Sequence, residues 1–233
     1  MMTLSDRGAS EDDGLIAAIS PERFQPFLHR CGGDRTRALR LYAWDSEMAR
    51  ALQSPLRDLE VSLRNRLHRQ LVGKHGQEAW WDAPKARPNH KGLDMLDRAR
   101  GTLEERRPYR PFGPCDIVAQ LPFGFWVSLL GRGGRDNYEM KYWNSSLRHL
   151  FREHRGGRED LYRKFQFMLT LRNRIAHHER IFQRHLDQDL ESALTLLRYV
   201  SPETADRHEK YGQVPEVLAR RRAVLSGTEP MRL

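Results

Sequence analysis

The sequence predicts an all-α protein, a helical bundle of roughly seven to nine elements. Three observations carry that expectation. Apolar residues return at helical spacing in one segment after another, as Leu56, Leu59, Leu63, Leu67 and Leu71 do. Helix-starting and helix-stopping residues alternate along the chain, with Ser20-Pro21 and Gly32-Gly33 the first such pair. No run shows the sustained period-two alternation and hairpin turns of strands.

Residues 1–19 contain SEDDG and little that could pack, so they read as a flexible tail. Ser20 caps a first helix that Gly32-Gly33 stops. Asp34 caps a second, in which Leu39, Tyr42, Ala43, Met48 and Leu52 recur near helical spacing. Ser54-Pro55 opens a third, carrying the leucine stripe up to Gly73. Residues 76–113 are turn-rich, with a helix expected near 91–106. A further helix is expected over 115–131, and GRGGRDN then breaks the chain. YWNSSLRHLF begins the next element, and 158–182 reads as one long helix. DQDLESALTLLRYV, a short helix after Ser201-Pro202, and a last helix over 213–225 complete the bundle. One domain, 20–218, is expected, followed by a frayed basic tail over 219–233.

The chain has 233 residues and a formal net charge of +9. That length allows a real hydrophobic core. The positive excess favours polyanionic partners, nucleic acid before membrane, although a merely soluble basic protein would look similar. The excess is mostly Arg, which GC-rich codons would also produce, so the Arg bias by itself says little about RNA. Two cysteines, Cys31 and Cys115, are too few for a disulfide framework or a thiolate zinc site, which fits a reducing cytoplasm. The longest apolar stretch, LPFGFWVSLLG at 121–131, is too short to span a bilayer and reads as core. GRGGRDN lacks the Lys-Ser/Thr and the preceding strand of a phosphate-binding loop.

The segment LRNRIAHHERIF, 171–182, concentrates the chemistry. On a helix that advances about 100° per residue, Arg172, Ala176, Arg180, Asn173 and His177 fall on one polar arc about 140° wide. Phe167, Met168, Leu171, Ile175 and Phe182 fall on the opposite, core-facing stripe. His178 lands inside that stripe, so it is expected to be structural and His177 to face outward. Ala176 leaves room on the arc for a ligand or a second helix. A histidine moves protons near neutral pH, and an arginine holds a phosphate through paired hydrogen bonds. Together they suit cleavage of a phosphodiester by the neighbouring ribose 2′-OH. His177 would transfer the proton, Arg172 would stabilise the added negative charge, and Asn173 would orient one or the other. A solvated stripe is the bland alternative. Metal binding is disfavoured, because the useful helical offset from His177 falls on Ile181. With one histidine per arc, an isologous homodimer that joins two arcs would supply both a base and an acid.

A second constellation lies on the third helix. Glu60, Arg64 and His68 are spaced to line one edge, with Asn65 beside Arg64. That edge is either a solvated stripe or a face turned toward the motif helix, where Glu60 or Arg64 would position His177 or bind RNA, with His68 and Arg180 as further RNA contacts. No helix-turn-helix with a recognition helix is evident, so a DNA-binding regulator ranks last.

Arg172-Asn173, three residues, then His177 resembles the R-N-x-x-x-H signature of the HEPN superfamily of helical ribonucleases. The wider pattern is similar to the Abi-like (abortive infection, AbiD/AbiF-type) family within it. CGGDRTRALRLYAWDSEMARAL, LRDLEVSLRNRLH, LPFGFWVSLL, LRNRIAHHERIF and YVSPETADRHEKYGQVPEVL carry the likeness in that order, over roughly 20–218. The resemblance implies an all-α fold and a metal-independent endoribonuclease without cofactor, acting in phage defence as a toxin-like effector. It implies a homodimer with a composite active site, RNA as substrate, Arg172 and His177 as the catalytic pair and Asn173 in support. An antitoxin or inhibitor is a further partner. A HEPN module that binds RNA or a partner without cutting is the alternative.

Overall fold

The structure is a computed structural model that describes residues 4–232, with side chains from residue 12 onward. Among the described residues it has ten α-helices, with short 3-10 and π-helical segments between them, and no strand. They are α1 (Leu4–Ile19), α2 (Pro21–Arg30), α3 (Arg35–His75), α4 (His90–Arg106), α5 (Pro114–Gln120), α6 (Phe123–Ser128), α7 (Arg158–Ala176), α8 (Leu186–Val200), α9 (Pro202–Tyr211) and α10 (Val214–Ser226). The all-α class expected from the sequence is the class observed.

α3 is the spine. Its 41 residues pack against α2, α6, α7, α8 and α10. Leu56, Leu59, Leu63, Leu67 and Leu71 are all buried, as their spacing requires. Each fully buried leucine contributes about 1.5–3 kcal/mol relative to exposure. The helix boundary expected at Ser54-Pro55 is absent, because α3 runs straight through it. A proline inside a helix removes one backbone hydrogen bond. Here its ring is buried between neighbouring helices, and packing on both sides of the break outweighs the loss.

The expected tail is also different. Residues from Leu4 to Ile19 form a helix whose Ile16 and Ile19 pack on the core, while residues 1–3 lie outside the described part. At the other end, α10 continues to Ser226 and the chain folds back. Arg220 donates to Glu229 Oε2 at 2.6 Å and to the Pro230 carbonyl at 2.9 Å. The basic end is therefore tied down through side chains rather than frayed. The helix expected over 115–131 is two short ones, α5 and α6, separated at Leu121-Pro122, where proline excludes its predecessor from helical geometry. LPFGFWVSLL is core as expected, with Phe123, Phe125, Trp126, Val127, Leu129 and Leu130 buried. The turn-rich middle is held by two tyrosines. Tyr142 donates to the Ala86 carbonyl at 2.8 Å, and the Asn89 N–H donates to Tyr138 Oη at 2.6 Å.

Among the described residues no helix is long and apolar enough to cross a membrane.

Candidate active site at the end of α7

The helix that carries the motif stops at Ala176, six residues earlier than expected. Three backbone bonds close it: His177 N–H to the Asn173 carbonyl (2.9 Å), His178 N–H to Ile175 (3.0 Å) and Glu179 N–H to Arg174 (2.8 Å). The last two form a Schellman closure, which needs a left-handed residue between the cap and the returning chain. His178 is that residue, with φ 55°. Glycine normally takes this position, and histidine is among the few other types enriched there. Arg174 reinforces the turn by donating to Glu179 Oε2 at 3.0 Å.

This ending corrects two expectations. His178 does not pack into the core: it is exposed, because helical geometry no longer applies beyond Ala176. Its backbone carbonyl accepts from Arg23 Nη2 at 2.5 Å. Arg180 leaves the arc of Arg172 and lies on the exposed returning segment. Phe167 is not core either. It is 48% exposed and its ring lies 4.7 Å from the Arg184 guanidinium, because the covered sector of α7 is narrower than its apolar stripe. Met168 and Leu171 are buried as expected, and Phe182 is buried although it has left the helix.

Arg172 and Asn173 sit in the last turn of α7, and His177 is its C-cap, exposed. Arg172 Nε donates to Glu60 Oε2 of α3 at 3.1 Å, and its Nη1 donates to Asn173 Oδ1 at 3.4 Å. The edge of α3 that carries Glu60 therefore does face the motif. The i,i+4 pair between Glu60 and Arg64 is not made, because Glu60 is committed to Arg172. Arg64 turns instead to its neighbour, donating to Asn65 Oδ1 at 3.1 Å.

His68 does not join the site. It lies two turns beyond Glu60, about 12 Å along the axis at 1.5 Å per residue. Its Nδ1 accepts from Trp80 Nε1 at 3.3 Å, among the rings of Trp81 and Trp126. Burial lowers its proton affinity. It is a half-buried member of the aromatic core.

Asp45 is the residue that motif reasoning missed. It is 7% exposed, and its carboxylate accepts the Ile181 N–H at 3.0 Å, pinning the segment that leaves His177. Burial pushes the carboxyl up to about 6, against the pull of the Ile181 and Phe182 backbone bonds and of Arg221 and Arg180. Arg221 donates to the Phe182 carbonyl at 3.1 Å and stacks over Trp44. Arg184 closes the far end with a bidentate pair to Asp189 at 2.7 and 2.8 Å. A signal for Asp45 was present: an acid beside Trp44 within an apolar helical stripe must find a partner, since a buried charge without one is costly.

Among the described residues no three His, Cys, Asp or Glu side chains gather closely enough to hold a metal ion. Comparison with known protein families, curated proteins and solved structures finds no match.

Proposed function

We propose that the chain is a metal-independent endoribonuclease that cleaves RNA by attack of a ribose 2′-OH on the adjacent phosphodiester. The observation that carries this reading is the setting of Arg172. Its guanidinium is oriented by Glu60 from α3 and by Asn173 beside it, in the turn that exposed His177 caps. Such a fixed arginine on the same helix end as an accessible imidazole suits the charge and proton demands of the reaction. His177 takes the 2′-OH proton, the 2′-oxygen bonds to phosphorus, and Arg172 offsets the negative charge of the five-coordinate transition state. The 5′-oxygen leaves with a proton from an acid, and a 2′,3′-cyclic phosphate remains.

One histidine cannot hold and release a proton at the same instant. A homodimer that brings two copies of this turn to one cleft supplies the second. A monodisperse monomer that cleaves at full rate would refute the dimer. The resemblance to Abi-like proteins extends the reading to a toxin-like effector of phage defence in the cytoplasm, held by an antitoxin or inhibitor. Toxicity on induced expression, relieved by either substitution below, tests that extension.

The direct test incubates purified protein with total RNA in EDTA beside Arg172→Ala and His177→Ala variants. Cleavage by the wild type, lost in both variants, is the expected outcome. One observation favours a second reading, a module that binds RNA or a partner without cutting it: Glu60 already occupies Arg172 Nε and competes with phosphate. Wild type and variants equally inert, with RNA binding retained, would establish it.

A further inference from the structure

A second basic feature lies away from the Arg172 turn. A cleft of about 1050 Å³ opens between the end of α2, the first turns of α3 and the body of α10. Five arginines line it: Arg30, Arg37, Arg40, Arg221 and Arg222. The single acid among its lining residues, Asp34, caps α3 by accepting the Arg37 N–H at 2.9 Å. Among the described residues none of the five guanidiniums forms an ion pair within 4.0 Å. Other arginines of the chain do find carboxylates, as Arg184 does with Asp189 and Arg107 with Asp116.

The convergence is unfavourable unless something anionic fills the cleft. Like charges in one concavity repel, and low-dielectric walls focus their field. Arg37 and Arg40 stand at the positive end of the α3 dipole, whose first turn holds no acid. Burial, and then the closeness of Arg30, push the Arg221 guanidinium below its ordinary value. Arg40 reaches the cleft beside Gly227, where a Cβ would come within 2.5 Å of its guanidinium. The cleft is large enough for a nucleotide, and Leu218 and Leu225 of α10 give it an apolar portion.

We propose that this cleft binds closely spaced phosphate groups, those of a nucleic-acid strand or of a free nucleotide polyphosphate. Planar guanidiniums from two sides would grip successive phosphates in pairs of hydrogen bonds. The site stands whether or not the chain cuts RNA. It also touches the motif, since Arg221 lines the cleft while holding the Phe182 carbonyl of the segment behind His177.

The test uses ligands that 2′-OH chemistry cannot consume. Fluorescence anisotropy follows a labelled 2′-deoxy strand of about 12 nucleotides, and calorimetry follows ATP. The cleft variant is Arg37→Glu with Arg222→Glu, both exposed positions, accompanied by the milder pair Arg37→Gln with Arg222→Gln. The control is Arg69→Glu with Arg98→Glu, which makes the same charge change at exposed positions outside the cleft. Arg69 lies about 43 Å along α3 from Arg40, at 1.5 Å per residue. Expected is a loss of at least about tenfold in affinity for the strand, for ATP or for both in the cleft variant, and under about threefold in the control at the same salt. The Gln pair should move in the same direction by less. Loss for the strand alone identifies nucleic acid as the source, and loss for ATP alone a free nucleotide. Equal shifts in cleft variant and control, or no shift in either, would overturn the proposal.

Discussion

His178 occupies a left-handed backbone position that a histidine holds only at a cost. His178→Gly removes that cost while the closing bonds from His178 and Glu179 stay available. The substitution is expected to raise stability by up to about 1 kcal/mol in urea denaturation and to leave RNA cleavage intact. His177→Ala should do the reverse, abolishing cleavage with little change in stability, since that ring is exposed. Asp45 gives a pH-dependent counterpart. Its carboxyl is raised from an ordinary 3.8 to about 6, so the native state holds its proton more tightly than the unfolded chain does. Its contribution is therefore fully present below pH 4 and is lost as pH rises through about 6, by about 3 kcal/mol at roughly 1.4 kcal/mol per tenfold. Asp45→Asn keeps an acceptor for Ile181 and should flatten stability between pH 4 and 7, as thermal melts at each pH would read. The wheel set His177 outward and His178 toward the core, and only the first placement matches, since both rings are exposed. His178 is set apart by a left-handed turn and not by a core-facing side, because backbone closure ends the helix and Asp45, 136 residues before Ile181, holds the chain that leaves it.

Among the elements, α3 and α10 are joined by the most demanding polar contact. Arg220 of α10 meets Glu47 of α3 at 2.6 Å, with the two side chains 7% and 9% exposed. Removing one partner of a buried pair strands the other charge. Arg220→Ala should cost about 3–5 kcal/mol and release the Glu229-Pro230 segment, which hydrogen exchange at 227–232 would detect. Replacing both Arg220 and Glu47 with apolar residues of similar volume should cost much less. The leucine stripe of α3 was legible because its period belongs to the helix alone. The continuity through Pro55 was not, since it depends on neighbours contributed from α8 and α10, far along the chain. The folded-back carboxyl end was missed for the same reason. RRRAVLSGTEPMRL reads as a basic tail until Glu47 is known to face Arg220.

For the whole molecule, one long helix organises the chemistry. α3 supplies Asp45 to pin the returning segment, Glu47 to hold α10, and Glu60 to orient Arg172. The all-α class was readable from apolar periodicity, whereas the i,i+4 spacing of Glu60 and Arg64 left open whether that edge of α3 was solvated or met the motif, and only Glu60 meets it. His68 fell off that edge into the aromatic core because spacing along a helix does not say where the neighbouring helix ends. Whether the Arg172 turn cuts RNA is the central claim. Its most direct test is end-group analysis of a defined RNA incubated with the protein in EDTA, beside the same strand carrying 2′-deoxy residues at the cleaved positions and beside His177→Ala. Fragments ending in 2′,3′-cyclic phosphate, absent from the deoxy-substituted positions and absent with His177→Ala, are expected. An intact strand, fragments ending in 3′-OH, or undiminished cleavage by His177→Ala would contradict it.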